Sequence, residues 1–238
     1  MKSSGAGRIR WLARLSIRLR RLLPILLAAL GATACGRAPI ADQVKAVRLS
    51  LPGWQEDKPT QGMRAWRDAD GDVLGLAACE FPVDPSSGIA FQRYARKLAE
   101  LGSGGLIEVT MVAPRPRPIV SLIYKRLRRP AYMYTGMLIM GGRDTSLVWT
   151  IVSSERGMTG VREAIITSEM LRSGELTLES YVESWAQDPY DPSYHGVDRS
   201  VLRFLSDDER YDARFPTHPL SKVRRVLAAL PGSTDGAP

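Results

Sequence analysis

The chain has 238 residues, of which 33 are lysine or arginine and 25 are aspartate or glutamate, giving a formal net charge of +8. Seven of the basic residues and none of the acidic ones lie in residues 1–35, which leaves 26 basic and 25 acidic side chains in the rest. Because the main part of the chain is nearly neutral, its composition argues against a nucleic-acid-binding surface, and we expect no nucleic-acid partner.

The first 34 residues have the pattern of a secretory signal peptide. A basic stretch is followed by the apolar run Leu22–Leu30 and by the small residues Ala32-Thr33-Ala34. The apolar run contains Pro24 and is shorter than the roughly 20 residues that a membrane-spanning helix needs. We therefore expect the remainder of the chain to be exported.

The segment Ala32-Thr33-Ala34-Cys35 resembles the lipobox of bacterial lipoproteins. This resemblance implies that Cys35 is acylated and becomes the first residue of the mature protein. The protein would then be anchored in a membrane of the bacterial cell envelope, facing the periplasm. Ala32 departs from the pattern, because leucine is preferred at that position.

Three other fates of the leader stay open. Ordinary signal peptidase could cleave after Ala34, or the segment could remain uncleaved as an anchor. A mitochondrial presequence is the third alternative, because Arg10, Arg14, Arg18 and Arg21 fall at helical spacing opposite apolar neighbours. The second cysteine, Cys79, lies in an apolar run, and we expect it to be a buried small hydrophobic residue.

Residues 35–45 are interpreted as a tether, residues 46–230 as a single domain, and residues 231–238 as a disordered tail. A domain of this size can form a sufficient hydrophobic core without a cofactor. Alternating or apolar segments predict seven strands, at 46–51, 62–67, 73–81, 106–112, 119–127, 132–140 and 146–153. Helical spacing predicts helices at 89–101, 159–172 (with Thr159 as N-cap), 176–187, 200–205 and 219–230.

Short turns connect most of these strands, which makes the sheet antiparallel, because a parallel connection needs a long crossover. The expected fold class is thus α+β, with an antiparallel sheet of about six to seven strands covered by helices. A helical C-terminal part, residues 176–230, extends this sheet.

Residues 46–175 are similar to the PsbP/DcrB-like α/β/α sandwich family. The resemblance rests on Leu49-Ser50-Leu51-Pro52-Gly53-Trp54, on the helix at 89–101, and on the strand meander ending in Glu155-Arg156-Gly157-Met158-Thr159-Gly160. The family implies a binding or accessory role without a shared active site.

The sequence predicts no catalytic residues, no metal site and no cofactor. The acidic run 68–72 is interpreted as a hairpin tip, because its glycine falls too early for a calcium loop. The two histidines, His195 and His218, are widely spaced, whereas a zinc site usually has several His or Cys ligands. The alternative hypothesis is an exported hydrolase of unfamiliar type that uses His195 or His218.

Two features are candidates for binding a protein partner in the envelope. Tyr190 and Tyr194 lie in a proline-rich acidic loop, and tyrosines on stiff loops are good recognition anchors. The basic segments 114–118 and 125–129 contribute Arg115, Arg117, Arg128 and Arg129, which could contact anionic headgroups or an acidic protein surface. A solvated strand edge would also explain these arginines. The sequence thus predicts a non-catalytic binding or accessory module, possible versions being an accessory subunit and an immunity protein.

Overall fold

The computed structural model describes residues 44–58, 63–79, 84, 87–113, 118–141 and 146–235. The signal peptide and Cys35 lie outside these residues, as do Arg115 and Arg117. The architecture is an antiparallel sheet with helices on both faces, which confirms the predicted α+β class.

A seven-stranded sheet forms the centre of the fold, and its strand order is β2-β3-β4-β8-β7-β6-β5. Every neighbouring pair is antiparallel. The strands are β2 (Gln55–Glu56), β3 (Arg64–Arg67), β4 (Val73–Cys79), β5 (Gly105–Ala113), β6 (Ile119–Arg128), β7 (Ala131–Gly141) and β8 (Ser146–Ser154). The central strands are buried on both sides, as their continuous apolar sequences require.

The helix α1 (Ile89–Leu101) covers one face of the sheet. Its buried residues Phe91, Ala95 and Leu98 follow helical spacing, and Gly102 ends the helix with its N–H bonded to the last carbonyls. The core on this face also contains Cys79, which is buried as predicted.

The helix α4 (Pro219–Ala229) covers the opposite face. Its buried side chains include Val223 and Leu227, which pack against β7 at Gly136. A β-carbon at Gly136 would lie 2.5 Å from Val223 Cγ1, so the missing side chain permits the close approach of α4 to the sheet.

The helices α2 (Val161–Ser173) and α3 (Leu178–Ser184) follow β8 in the chain. Thr159 was predicted as the N-cap of α2, and this is wrong. The N-cap is Gly160 in a left-handed conformation, and the Thr159 hydroxyl donates to the Pro130 carbonyl instead. This region has a hydrophobic core of its own, separate from the two that lie against the sheet. The core is rich in aromatic side chains and includes Leu202 and Phe204.

Residues 199–207 were predicted to contain one short helix, but they form two 3-10 turns around a short strand. The strand β10 (Arg203–Phe204) pairs with β9 (Ala186–Gln187), and the 3-10 turns cover Arg199–Val201 and Leu205–Asp207. This segment packs beside β5 and β6, which places Asp207 next to Lys125.

The two ends of the described chain lie side by side. The strand β1 (Arg48–Leu49) pairs with β11 (Thr234–Asp235) in a two-stranded sheet. Part of the segment predicted as a tail thus has secondary structure, and Val44, within the predicted tether, is buried against the core.

Candidate functional site: a cleft between α2 and α4

An open cleft of about 430 Å³ lies between the start of α2 and the start of α4, and we call it the α2–α4 cleft. The end of β8 and the loop before α4 form its walls, and the β3–β4 turn reaches its edge. Its lining includes two acidic residues, four basic residues and one histidine, which are Asp70, Glu155, Arg156, Arg162, Arg214, Lys222 and His218.

The charged groups at the rim are already paired with one another. Lys222 Nζ lies 3.0, 2.6 and 2.6 Å from carboxylate oxygens of Asp68, Asp70 and Asp72, respectively. Arg156 also binds Asp72. The acidic run at the hairpin tip therefore binds the ammonium group of Lys222. Partial burial lowers the pKa of Lys222, but the hydrogen bonds with the aspartates raise it by more, so the net change is upward.

Glu155 lies in the floor of the cleft, directly after β8, and two backbone amides fix its carboxylate. Its Oε1 accepts from the Gly160 N–H and its Oε2 from the Tyr132 N–H, each at 2.8 Å. These bonds connect the start of α2 and the start of β7 to the end of β8. The carboxylate is thus held in one orientation by the fold.

Glu163, in the first turn of α2, does not line the cleft itself but lies behind its floor, where its Oε1 is 3.9 Å from His218 Nε2. The Tyr134 hydroxyl lies 3.5 Å from its Oε1, whereas its Oε2 is buried without a hydrogen-bond partner among the described residues. Burial raises the pKa of Glu163, and the negative charge of Asp207 raises it further. The structure therefore places this carboxylate where a positive charge would stabilise its ionised form.

His218 is the N-cap of α4, and its side chain is 9% exposed. Its Nδ1 lies 3.3 Å from the Leu220 amide nitrogen and accepts that N–H. Its Nε2 lies 3.9 Å from Glu155 Oε1 and 3.9 Å from Glu163 Oε1, and it has no hydrogen-bond partner in the part of the chain that the structure describes. Burial lowers the pKa of His218 to about 4, so the imidazole is neutral at neutral pH.

Behind the floor, the fully buried side chains of Lys125 and Asp207 form an ion pair. Burial lowers the pKa of Lys125, whereas Asp207, Glu163 and Glu155 oppose this effect. Lys125 thus forms an ion pair with Asp207 and is also within electrostatic reach of Glu163 and Glu155. The positive charge of Arg162 also lowers the pKa of His218, and Arg162 forms an ion pair with Asp212.

The structure separates the two histidines that the sequence singled out. His218 is buried in the cleft floor, whereas His195 is exposed in the loop that follows α3. Among the described residues neither histidine shares a hydrogen bond with a serine hydroxyl, so no Ser-His pair is present there.

Tyr190 and Tyr194 use their hydroxyls within the molecule. Tyr190 Oη accepts from the Val109 N–H at 2.6 Å and donates to the Val109 carbonyl at 3.0 Å, on the edge strand β5. Tyr194 donates to Glu100 on α1. The loop is therefore fixed to the sheet and to α1, while the ring of Tyr190 stays partly exposed.

The basic segment 125–129 divides between core and surface. Lys125, counted in the sequence with the exposed basic residues, is buried, because strand alternation and the C-terminal segment place it against Asp207. Arg128 and Arg129 are exposed at the β6–β7 turn. Hydrogen bonds from Ser200 lower the pKa of Asp198, and the charge of Arg129 lowers it further by a smaller amount, so this turn lies within electrostatic reach of the end of the tyrosine loop.

Sequence reasoning missed Glu155 and Glu163 as partners of His218. Glu163 was included only within the predicted helix 159–172, while Glu155 was noted only as part of a family resemblance. The three residues come from β8, α2 and α4, and local periodicity does not specify how those elements meet.

No protein-family model matches the chain, and no curated protein matches it. Among the helices in the described ranges, none has both the length and the apolar character needed to cross a bilayer.

Proposed function

We propose that this chain is an exported protein of the bacterial cell envelope, anchored by a lipid on Cys35, that acts as a non-catalytic binding or accessory module. Several acyl chains would hold the domain at the membrane surface durably, at about 0.8 kcal/mol per buried methylene. The signal-peptide pattern and the position of Cys35 directly after it support export and anchoring.

The observation that carries the binding role is the rigid attachment of the tyrosine loop, residues 188–198. At its start, Asp188 forms two hydrogen bonds with Arg96 of α1, at 2.7 and 2.9 Å. Tyr190 is held at Val109 and Tyr194 at Glu100. A loop with three attachments loses little conformational entropy on binding, which favours its use as a recognition surface.

The charge of the neighbouring surface supports a protein partner with acidic residues. Arg128 and Arg129 are exposed at the β6–β7 turn, beside the end of the tyrosine loop. Exposed basic residues on a tethered domain speed the encounter with an acidic patch. The proposed partner surface thus comprises Tyr190, Tyr194, Arg128 and Arg129, with Arg115 and Arg117 outside the described residues.

The anchor is tested by fractionation and intact-mass measurement. We expect the wild-type protein in the membrane fraction with an acylated N-terminal cysteine, and we expect Cys35→Ser to abolish both acylation and membrane retention. Cys79→Ala is the matched control and should leave both unchanged. An unprocessed, unacylated chain in the cytosolic fraction would contradict the anchor.

The binding role is tested by cross-linking and co-purification from the envelope fraction. We expect a reproducible partner that is lost with Tyr190→Ala and weakened by Arg128→Ala together with Arg129→Ala. Arg172→Ala, an exposed arginine on α2, is the control. The same partners in all variants would contradict this surface.

One observation favours the hydrolase alternative, and this is the position of His218 between two glutamates in an open cleft. An esterase and phosphatase screen with the purified protein tests it. Activity that is abolished by His218→Ala and retained in His195→Ala would overturn the non-catalytic proposal.

A further inference from the structure

At the floor of the α2–α4 cleft, the lining residues Glu155 and His218 meet Glu163, which lies behind them, and the three side chains carry the donor atoms of a metal site. Glu155, Glu163 and His218 each offer one ligand atom, and these atoms all lie within 4.8 Å of one another. We refer to these three residues as the floor cluster. Two carboxylate oxygens and one imidazole nitrogen are a donor set that suits Zn²⁺, Mn²⁺ and Fe²⁺.

The unpaired nitrogen of His218 is an independent indication of a ligand. The side chain is more than nine-tenths buried, its Nε2 is directed between the two carboxylates, and no described atom forms a hydrogen bond with it. Glu163 Oε2 is unpaired in the same part of the described structure. Buried polar atoms are normally satisfied, so the unpaired Nε2 between the two carboxylates indicates that something binds there.

The spacing of the three atoms fits a cation. A point equidistant from three atoms that are 3.9 to 4.8 Å apart lies about 2.3 to 2.8 Å from each of them, whereas the bonds of Zn²⁺ to oxygen and nitrogen are about 2.0 to 2.2 Å. Shifts of about 0.1 to 0.8 Å would therefore bring the ligands to bonding distance. Glu155 needs no reorientation, because two backbone amides already fix it.

The charge balance also favours a cation. Glu155, Glu163 and Asp207 influence one another electrostatically, and Lys125 is the cation that pairs with this group. Lys125 Nζ is directed at Asp207, from which it lies 2.6 Å away, and at the ring of Phe204. The four basic residues that line the cleft are each paired with another carboxylate: Arg156 and Lys222 with Asp72, Arg162 with Asp212, and Arg214 with Glu169. Among the described residues, neither glutamate of the floor cluster forms an ion pair with a lysine or arginine.

We infer that Glu155, Glu163 and His218 bind one divalent transition-metal ion at the floor of the α2–α4 cleft. The ion takes one oxygen from each glutamate and Nε2 from the histidine. Three protein ligands leave at least one coordination position, and the cleft gives it access to solvent. This site does not depend on the proposed partner surface, which lies on the tyrosine loop and the β6–β7 turn.

Metal binding requires a proton rearrangement at His218. Because Nδ1 accepts the Leu220 N–H, the neutral imidazole carries its proton on Nε2. When the ion binds Nε2, the proton moves from Nε2 to Nδ1 by exchange with solvent. The imidazole stays neutral, and Nδ1 becomes the protonated nitrogen. The long hydrogen bond to Leu220 is then lost, and the first turn of α4 adjusts.

Titration of the full-length, detergent-solubilised protein with Zn²⁺ and, separately, Mn²⁺ tests the inference after treatment with a chelator. We expect one ion per chain with a dissociation constant in the micromolar range or lower. Glu163→Gln, which keeps the side-chain volume, and His218→Gln should each weaken binding at least tenfold. His195→Ala and Asp70→Asn are the controls, and they should bind the ion as the wild type does.

A second measurement detects the role of His218 directly. In ¹⁵N-histidine NMR spectra, the Nδ1 resonance of His218 should change from an unprotonated to a protonated position when Zn²⁺ is added, while His195 should not change. Circular dichroism establishes that each variant is folded. The absence of binding in the wild type, or unchanged binding in both Glu163→Gln and His218→Gln, would overturn the inference and leave a buried water as the occupant.

Discussion

Lys125 on β6 and Asp207 in the second 3-10 turn form an ion pair of 2.6 Å in which neither side chain is exposed. The two residues are 82 positions apart, and the same Asp207 oxygen also accepts the Phe204 N–H. The pair thus connects the C-terminal segment to the sheet through the core.

Removing Lys125 should be costly, because it leaves a buried carboxylate without its counter-ion. We expect Lys125→Met to lower the free energy of unfolding by about 3–5 kcal/mol. Urea denaturation followed by circular dichroism measures this change. The double variant Lys125→Met with Asp207→Asn removes both charges and should recover part of the loss. A single variant as stable as the wild type would contradict this account.

Gly105 should not tolerate a side chain, because the C-terminal segment lies against it. A β-carbon there would lie against the Val201 carbonyl oxygen, 2.7 Å from the carbonyl carbon and 3.1 Å from Leu202 Cα. These are backbone atoms, so the whole segment must shift. We expect Gly105→Ala to destabilise the fold by about 1–3 kcal/mol. Gly232→Ala, with no atom within 4 Å of the added carbon, is the control for the same thermal-denaturation measurement.

The three aspartates around Lys222 predict a specific dependence on pH. Lys222 lowers the pKa of Asp70 through a hydrogen bond and its charge. The pair therefore stabilises the fold above the usual pKa of aspartate, and this contribution is lost as the pH falls through the lowered value.

Lys222→Met should thus raise the pKa of Asp70 towards its usual value. Carboxyl ¹³C chemical shifts measured as a function of pH report this change directly. Lys97→Met, which breaks an exposed pair with Glu100, serves as the control and should leave Asp70 unaffected. An unchanged Asp70 titration in Lys222→Met would show that the ion pair does not form in solution.

Tyr190 protects the exposed edge of β5, since its hydroxyl satisfies both the N–H and the carbonyl of Val109. Tyr190→Phe keeps the ring and removes these bonds, so the amide of Val109 should exchange faster with solvent. We expect a loss of about 1 kcal/mol in stability. Hydrogen exchange followed by NMR tests this, with Tyr181→Phe as the control. Equal protection of Val109 in both variants would be evidence against edge protection.

Local patterns predicted much of the fold. The helix α1 begins and ends at the predicted residues, and the strands β6, β7 and β8 differ from prediction by a residue at their ends. The antiparallel sheet follows from the short turns between these strands. Apolar spacing and turn residues act over a few positions, so they specify such elements well.

The site could not be predicted in the same way. Glu155, Glu163 and His218 meet because α4 packs against the sheet at Gly136 and because a short connection, residues 155–160, joins β8 to α2. Lys125 was grouped with surface arginines, because nothing near it in the sequence identifies Asp207 as its partner. Contacts of this kind depend on how distant elements pack, and charge alone does not reveal them.

The pairing of β1 with β11 brings the first and last described residues to the same end of the domain. If the proposed anchor at Cys35 forms, a purification tag or fluorescent label joined beyond β11 would start from the same end of the domain as the anchored segment. Reporters of binding at the α2–α4 cleft or the tyrosine loop are better attached elsewhere, for example at an exposed position of α2.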